Sequence, residues 1–81
     1  MSTRLVHVGF SGYLSVDKII TIAVPNSAPI KRMVLEARTD GRVIDLTGGR
    51  RVKAVIFTDS KHIILVALEP VTITGRLQDS V

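Results

Sequence analysis

Two adjacent arginines follow two adjacent glycines in the stretch Gly48-Gly49-Arg50-Arg51, and a lysine follows at Lys53. A guanidinium group is planar and always charged, and its donors match a phosphate or the O6 and N7 edge of guanine. Glycine lets the backbone approach such a ligand closely, because it carries no side chain. In a strand, Arg51 and Lys53 would point the same way. The stretch therefore predicts a site that binds a polyanion.

The excess positive charge is confined to one part of the chain. The 81 residues include 11 Lys and Arg against 7 Asp and Glu, a formal net charge of +4. Residues 31–53 hold seven of these basic residues and three of the acidic ones, so this segment accounts for the whole excess. Lys31 and Arg32 belong to it, although the exposed face of a helix would carry such residues in any case. A charge so concentrated favours DNA or RNA as the partner.

The other side chains that could do chemistry are scattered. His7 and His62 lie in separate predicted strands, and the chain has no cysteine, so no metal-ligand spacing occurs. No nucleophile signature or P-loop is present. We therefore expect no enzymatic activity, no metal and no cofactor. No apolar run reaches the roughly 18–20 residues of a membrane span, and no signal peptide is visible, so we expect a cytoplasmic protein that makes no membrane contact.

The elements that must position the basic residues are predicted from local pattern. We expect an α+β fold, with a small, mostly antiparallel β-sheet and one main α-helix at about residues 27–40, and a single domain over residues 1–81. Alternating or β-branched residues predict strands at 4–10, 13–16, 18–24, 42–46, 52–58 and 62–68. The Gly-Gly-Arg-Arg stretch would be the tip of a hairpin that joins the strands at 42–46 and 52–58, and a tight turn at 59–61 would join the strands at 52–58 and 62–68 in another hairpin. Residues 70–77 could be strand or helix, and residues 78–81 are expected to fray.

The helix prediction depends on its ends and on one apolar face. Asn26 or Ser27 can cap the first free amides, Pro29 suits the first turn, and Gly41 suits the end. The strands at 18–24 and 62–68 are nearly continuous in apolar residues, as is typical of strands covered on both faces. Since one helix covers only one face, we expect a second copy of the chain to cover the other, in a homo-oligomer.

Several motifs together resemble one known family. They are Ser27-Ala28-Pro29-Ile30-Lys31-Arg32, Glu36-Ala37-Arg38, Asp45, Gly49-Arg50-Arg51, Ala54-Val55-Ile56, Asp59-Ser60 and His62. In type and spacing, and without a gap from about Arg4 to Leu77, they resemble the RemA family of small bacterial regulators of extracellular-matrix genes. The first and fourth blocks, at this separation, are the most specific.

The resemblance implies a DNA-binding transcription regulator of matrix and biofilm genes, associated with the nucleoid. It also implies a fold related to the LytTR DNA-binding domain, assembled into a ring, a heptamer or octamer. The family's DNA-contacting arginines fall on Lys18, Arg50 and Arg51. Lys18 stands where the family usually has arginine, so phosphate attraction would be kept there without a planar fork.

The candidate DNA-contacting residues are Lys18, Lys31, Arg32, Arg50, Arg51 and Lys53. Two other interpretations stay open. An RNA-binding ring of the Sm type is disfavoured because Phe10, Tyr13 and Phe57 are the only aromatic residues, and single-strand binders stack bases on such rings. A structural ring would instead present its basic face to an acidic protein partner.

Overall fold

A computed structural model describes residues 4–9 and 12–79 of the chain. Its elements, in chain order, are β1 (Leu5–His7), β2 (Tyr13–Ser15), a 3-10 turn (Val16–Lys18), β3 (Ile19–Ala23), α1 (Ala28–Thr39), β4 (Val43–Asp45), β5 (Ala54–Thr58), β6 (Ile63–Val66) and α2 (Pro70–Asp79). The α+β class and the helix at about 27–40 are confirmed. The first strand ends at His7 rather than at the predicted Phe10, which itself lies outside the described residues. The end expected to fray at 78–81 is helical as far as Asp79, and residues 80–81 also lie outside the described residues.

The last four strands in the chain form one mixed sheet in the order β3-β5-β6-β4. β1 pairs with β2 in a separate antiparallel ribbon. β5 and β6 form the predicted antiparallel hairpin. β4, however, pairs in parallel with β6, and Asp45 lies opposite Leu65. The prediction of a hairpin between the strands at 42–46 and 52–58 is therefore wrong. Both edges of β5 are already paired, with β3 and with β6, so β4 takes the free edge of β6 instead.

Each face of the four-stranded sheet is covered by other parts of the same chain. On one face Ala54, Ile56, Ile64 and Val66 pack under the β1–β2 ribbon and α2. On the other face Val55, Ile63 and Leu65 pack against Ala37 of α1. The face opposite α1 is thus covered by the ribbon and α2 rather than by a second copy, and the homo-oligomer itself stays a prediction.

The tail after Glu69 is a helix, which settles the alternative left open by its sequence. Gly75 and the β-branched residues of α2 are poor helix formers. Ile73 is nevertheless fully buried in the sheet core, against the face that includes Ile56. Burial of one apolar stripe therefore outweighs local propensity, as it does for most short helices.

α1 begins and ends as its sequence predicts. The Ser27 hydroxyl accepts a hydrogen bond from the Ile30 amide at 3.4 Å, and a proline lies in the first turn. At the other end Gly41 has φ 71°, and the Arg42 amide donates to the Ala37 carbonyl at 2.8 Å. This is the Schellman arrangement, which a left-handed glycine permits. The fixed ends set which helix side chains face the loop that precedes β5.

Candidate nucleic-acid interface

The segment between β4 and β5 crosses the end of β6. The Leu46 amide donates to the Leu65 carbonyl at 2.8 Å, and the Lys53 amide donates to the Val66 carbonyl at 2.9 Å. Because β4 and β5 flank β6, the chain leaves one side of that strand and returns on the other. We call residues 46–53 the arginine loop. Its two ends are thus fixed to neighbouring residues of one buried strand.

A tight turn at the centre of the arginine loop places the two arginines. The Arg50 amide donates to the Thr47 carbonyl at 3.2 Å. The two residues between them, Gly48 and Gly49, have φ values of 64° and 85°. Two successive positive φ angles define the type I′ family of turns, which strongly favours glycine. The glycines therefore form the turn that positions Arg50, rather than a hairpin tip.

The basic side chains of the arginine loop are open to solvent. Arg50, Arg51 and Lys53 are all exposed, and no salt bridge or side-chain hydrogen bond engages them within the described parts of the chain. An arginine without an internal partner keeps its whole set of donors for an external anion. The loop therefore presents three cationic groups within four consecutive residues.

One carboxylate lies at the base of the arginine loop. Oδ1 of Asp45 accepts hydrogen bonds from the Thr47 hydroxyl at 2.7 Å and from the Thr47 amide at 2.9 Å. These two bonds, the hydroxyl bond first, hold the pKa of the Asp45 carboxyl below its ordinary value of 3.8; desolvation opposes them, and the nearby Arg38 charge makes the least contribution. Thr47 itself is only 2% exposed. The carboxylate is therefore ionised at neutral pH and is engaged within the protein.

A cleft of about 320 Å³ lies between α1 and the sheet, and it reaches the arginine loop at Val52. Its apolar wall includes Val52 and Val55, and Lys31 and Arg38 of α1 also line it. The structure thus brings the predicted Lys31 towards the loop. Arg38 was not among the predicted site residues, although its place two helical turns after Lys31 is a signal that could have found it. Arg32 is exposed on α1 but does not line this cleft.

Lys18 lies at the other end of the sheet. It precedes β3, and its carbonyl accepts a hydrogen bond from the Asp59 amide at 3.0 Å, just beyond the end of β5. Its ammonium group is 3.9 Å from an Asp59 carboxylate oxygen in an exposed ion pair, which is worth little. Asp59 lies six positions after Lys53, across the length of β5, a distance of about 20 Å at the rise of a strand. Lys18 and the arginine loop therefore lie near opposite ends of β5.

Other kinds of site find little support among the described residues. No group of three His, Asp or Glu side chains is placed to hold a metal ion in residues 4–9 and 12–79. No helix in this part of the chain combines the length and the apolar character needed to span a membrane. His62 accepts or donates a 2.9 Å hydrogen bond with Ser60, which in turn bonds Thr58 at 2.9 Å. This network closes the β5–β6 turn.

Comparison with known proteins gives the same family that the motifs suggested. Residues 5–77 match the RemA-like family, described as extracellular matrix regulatory protein A-like. A protein of Dehalococcoides mccartyi strain BAV1 is 58% identical over 80 residues, which are 99% of this chain and 83% of that protein. A protein of Desulforudis audaxviator is 52% identical over 77 residues, 95% of this chain and 81% of that protein.

A protein of Synechococcus elongatus strain PCC 7942 is 49% identical over 80 residues, 99% of this chain and 92% of that protein. All three relatives bear the name "Putative regulatory protein". The family match covers nearly the whole chain, including α1, the arginine loop and the β5–β6 hairpin. The chain belongs to the RemA-like family of regulatory proteins.

Proposed function

We propose that this protein is a non-enzymatic transcription regulator that binds duplex DNA through the arginine loop, with Lys18 as a second contact. The observation that carries the proposal is the exposure of Arg50, Arg51 and Lys53 without internal ion pairs, on a turn with fixed ends. Lys31 and Arg38 extend the positive charge from the loop onto α1. Arg32 adds positive charge to the same helix, but it does not line the cleft, so its contact with DNA has less support than that of Lys31 or Arg38.

The chemistry of this surface suits a phosphate backbone better than stacked bases. Half or more of protein–DNA hydrogen bonds go to phosphates and sugars, and arginine and backbone amides make them without aromatic rings. Tyr13 is exposed and Phe57 half-buried, and neither belongs to the arginine loop. An RNA-binding ring of the Sm type, or a structural ring with an acidic protein partner, remains an outcome that the experiment below can reveal.

A single protomer offers few contacts, so the proposal includes a ring-shaped homo-oligomer, a heptamer or octamer. Repetition of a weak site on a ring raises the affinity by avidity, without any new contact. Self-association is supported by large apolar side chains that the isolated protomer leaves exposed, among them Val71 at 75%, Ile20 at 66% and Leu35 at 64%. The spacing of about 20 Å between Lys18 and the loop spans roughly six base pairs of duplex DNA.

The biological setting is part of the same proposal. Membership of a family described as extracellular matrix regulatory protein A-like supports control of matrix and biofilm genes, by a cytoplasmic protein associated with the nucleoid. The likeness to the LytTR DNA-binding fold stays a prediction from the family resemblance. No cofactor is included in the proposal.

The proposal is tested by titration of the full-length protein with a fluorescent DNA duplex and with single-stranded RNA, across a range of salt concentrations. Each phosphate neutralised on duplex DNA adds about 0.9 to the slope of log K against log salt concentration. We expect duplex DNA to bind more tightly than RNA, with a steep salt slope. A flat slope on the duplex, or tighter binding of the RNA, would contradict the proposal.

The chain offers a matched control for the charge that is removed. Arg51→Ala and Lys61→Asn each remove one positive charge. Lys61 lies in the β5–β6 turn with φ 67°, a conformation that asparagine tolerates. We expect Arg51→Ala to weaken duplex binding and to lower the salt slope, whereas Lys61→Asn changes both much less. Equal effects would mean that net charge alone, and not the arginine loop, attracts the DNA.

A further inference from the structure

The arginine loop needs a device that fixes its centre. Its ends are held by the backbone hydrogen bonds to Leu65 and Val66, but the residues between them have no partner strand. Two glycines in this interval would make an unsupported loop flexible, because glycine has the largest conformational freedom of any residue. A flexible loop loses more entropy when it binds, which lowers its affinity.

Thr47 is the residue through which the turn is fixed. Its carbonyl accepts the hydrogen bond that closes the turn on Arg50, so any movement of Thr47 moves the arginine backbone. Its side chain is buried at 2% exposure, and its hydroxyl and amide both donate to one carboxylate oxygen of Asp45. Asp45 is the last residue of β4 and is in register with Leu65, so the carboxylate is carried by the sheet. The chain of support runs from the sheet through Asp45 and Thr47 to Arg50.

The negative charge of Asp45 opposes the binding of DNA, whereas its hydrogen bonds to Thr47 would support it. The two effects therefore predict opposite results when Asp45 is replaced. An exposed carboxylate a few residues from Arg50 and Arg51 repels phosphate and reduces the positive potential of the loop. Replacement of this residue by a neutral one should therefore tighten DNA binding if charge were its only effect. Removal of the hydrogen-bond acceptor should have the opposite effect if the residue holds the turn.

We propose that Asp45 and Thr47 are positioning residues for the arginine loop, which hold the Thr47–Arg50 turn in the conformation that presents Arg50 and Arg51 to DNA. This inference rests on the proposed DNA-binding function. Under this proposal Asp45 and Thr47 contribute to DNA binding without contacting the DNA.

Five proteins test the proposal: the wild type and the variants Thr47→Val, Thr47→Ser, Asp45→Ala and Asp45→Asn. Valine has nearly the shape of threonine but cannot donate to Asp45, whereas serine can. Asparagine keeps an acceptor oxygen and loses the charge, whereas alanine loses both. Duplex affinity at fixed salt and the salt slope are measured for each full-length protein, together with the melting temperature.

We expect Thr47→Val and Asp45→Ala to bind the duplex about fivefold more weakly, the equivalent of one lost hydrogen bond, and Thr47→Ser to bind as the wild type does. Asp45→Asn should bind as tightly as the wild type or more tightly. Hydrogen exchange of the Arg50 amide in the free protein should quicken in Thr47→Val and not in Thr47→Ser. This second readout does not depend on DNA. If Thr47→Val fails to fold, Asp45→Ala still tests the proposal, because it changes an exposed residue.

The two proposals fail in distinguishable ways. If the wild type binds the duplex and loses it in Arg50→Ala/Arg51→Ala, but folded Thr47→Val matches the wild type, the positioning role is overturned and the DNA site stands. If Asp45→Ala and Asp45→Asn change affinity equally and in the same direction, Asp45 acts through its charge alone, which also overturns the positioning role. If the wild type binds no duplex, both proposals are overturned.

Discussion

Replacement of Ile73 by alanine should weaken the packing of α2 on the sheet. Ile73 is fully buried against a core that includes Ile56 and Val66. The change deletes three carbon atoms, worth about 2.4 kcal/mol at about 0.8 kcal/mol for each buried methylene. The cavity left behind adds to this loss, because cores collapse only partly. We expect the free energy of unfolding to fall by about 3 kcal/mol, a large part of the roughly 5 kcal/mol that so small a fold has at its disposal.

The measurement is urea denaturation followed by far-ultraviolet circular dichroism. Thr72→Ala in the same helix is the matched control, since Thr72 is exposed and alanine is the better helix former. We expect Thr72→Ala to change the free energy of unfolding by no more than about 0.5 kcal/mol. If Ile73→Ala cost less than about 1 kcal/mol, or no more than the control, burial would not be what makes this segment a helix, and the reasoning would be refuted.

Three further changes test local features, each by the same denaturation assay unless stated. Gly75→Ala should stabilise the protein by about 0.5–1 kcal/mol, because Gly75 lies inside α2 with open space where the new methyl group would be; a loss of stability would show that the space is occupied. Gly49→Ala should destabilise the protein by about 1–2 kcal/mol, because φ is 85° there. The same change should weaken duplex binding in the titration. An unchanged denaturation midpoint would mean that the turn is not formed. Since the folded pKa of Asp45 lies below 3.8, its charge contributes stability above pH 3.8, and that contribution is lost as pH falls through the folded value. The advantage of the wild type over Asp45→Asn should thus shrink in acid, and an advantage that grows in acid would contradict the assigned hydrogen bonds.

The sequence was a good guide where local signals agreed with packing. The cap at Ser27, the apolar stripe through Ala37 and the glycine end at Gly41 predicted α1 almost to the residue. The β5–β6 hairpin was predicted because two β-branched runs flank a three-residue polar turn. In both elements the information is contained within one short, continuous stretch of chain.

Long-range pairing was not predictable in the same way. Nothing local shows that β4 pairs with β6 rather than with β5, since that choice depends on β3 already occupying an edge of β5. The error changed the description of the arginine loop from a hairpin tip to a crossover turn. It also hid the separation of Lys18 from the loop, which only the register of β3 on β5 reveals.

The covering of the sheet was misjudged for a related reason. A helix at residues 70–79 runs against the local preferences of Gly75 and its β-branched neighbours, so the sequence left one sheet face without a cover. In the folded chain α2 helps to cover that face, and Ile73 is the residue that it buries there. The exposure of the basic residues was easier to predict, because charge and exposure need no tertiary context. The cleft that Arg38 shares with Lys31, by contrast, depends on how α1 packs on the sheet.

The most direct test of the account is the duplex affinity of Arg50→Ala/Arg51→Ala beside that of the wild type, at equal salt and with the oligomer mass and the melting temperature measured for both. We predict an unchanged mass, an unchanged fold, and duplex binding that is lost in the variant. If the folded variant binds duplex DNA as tightly as the wild type, the arginine loop is a solvated turn and the DNA-binding site proposed here is wrong.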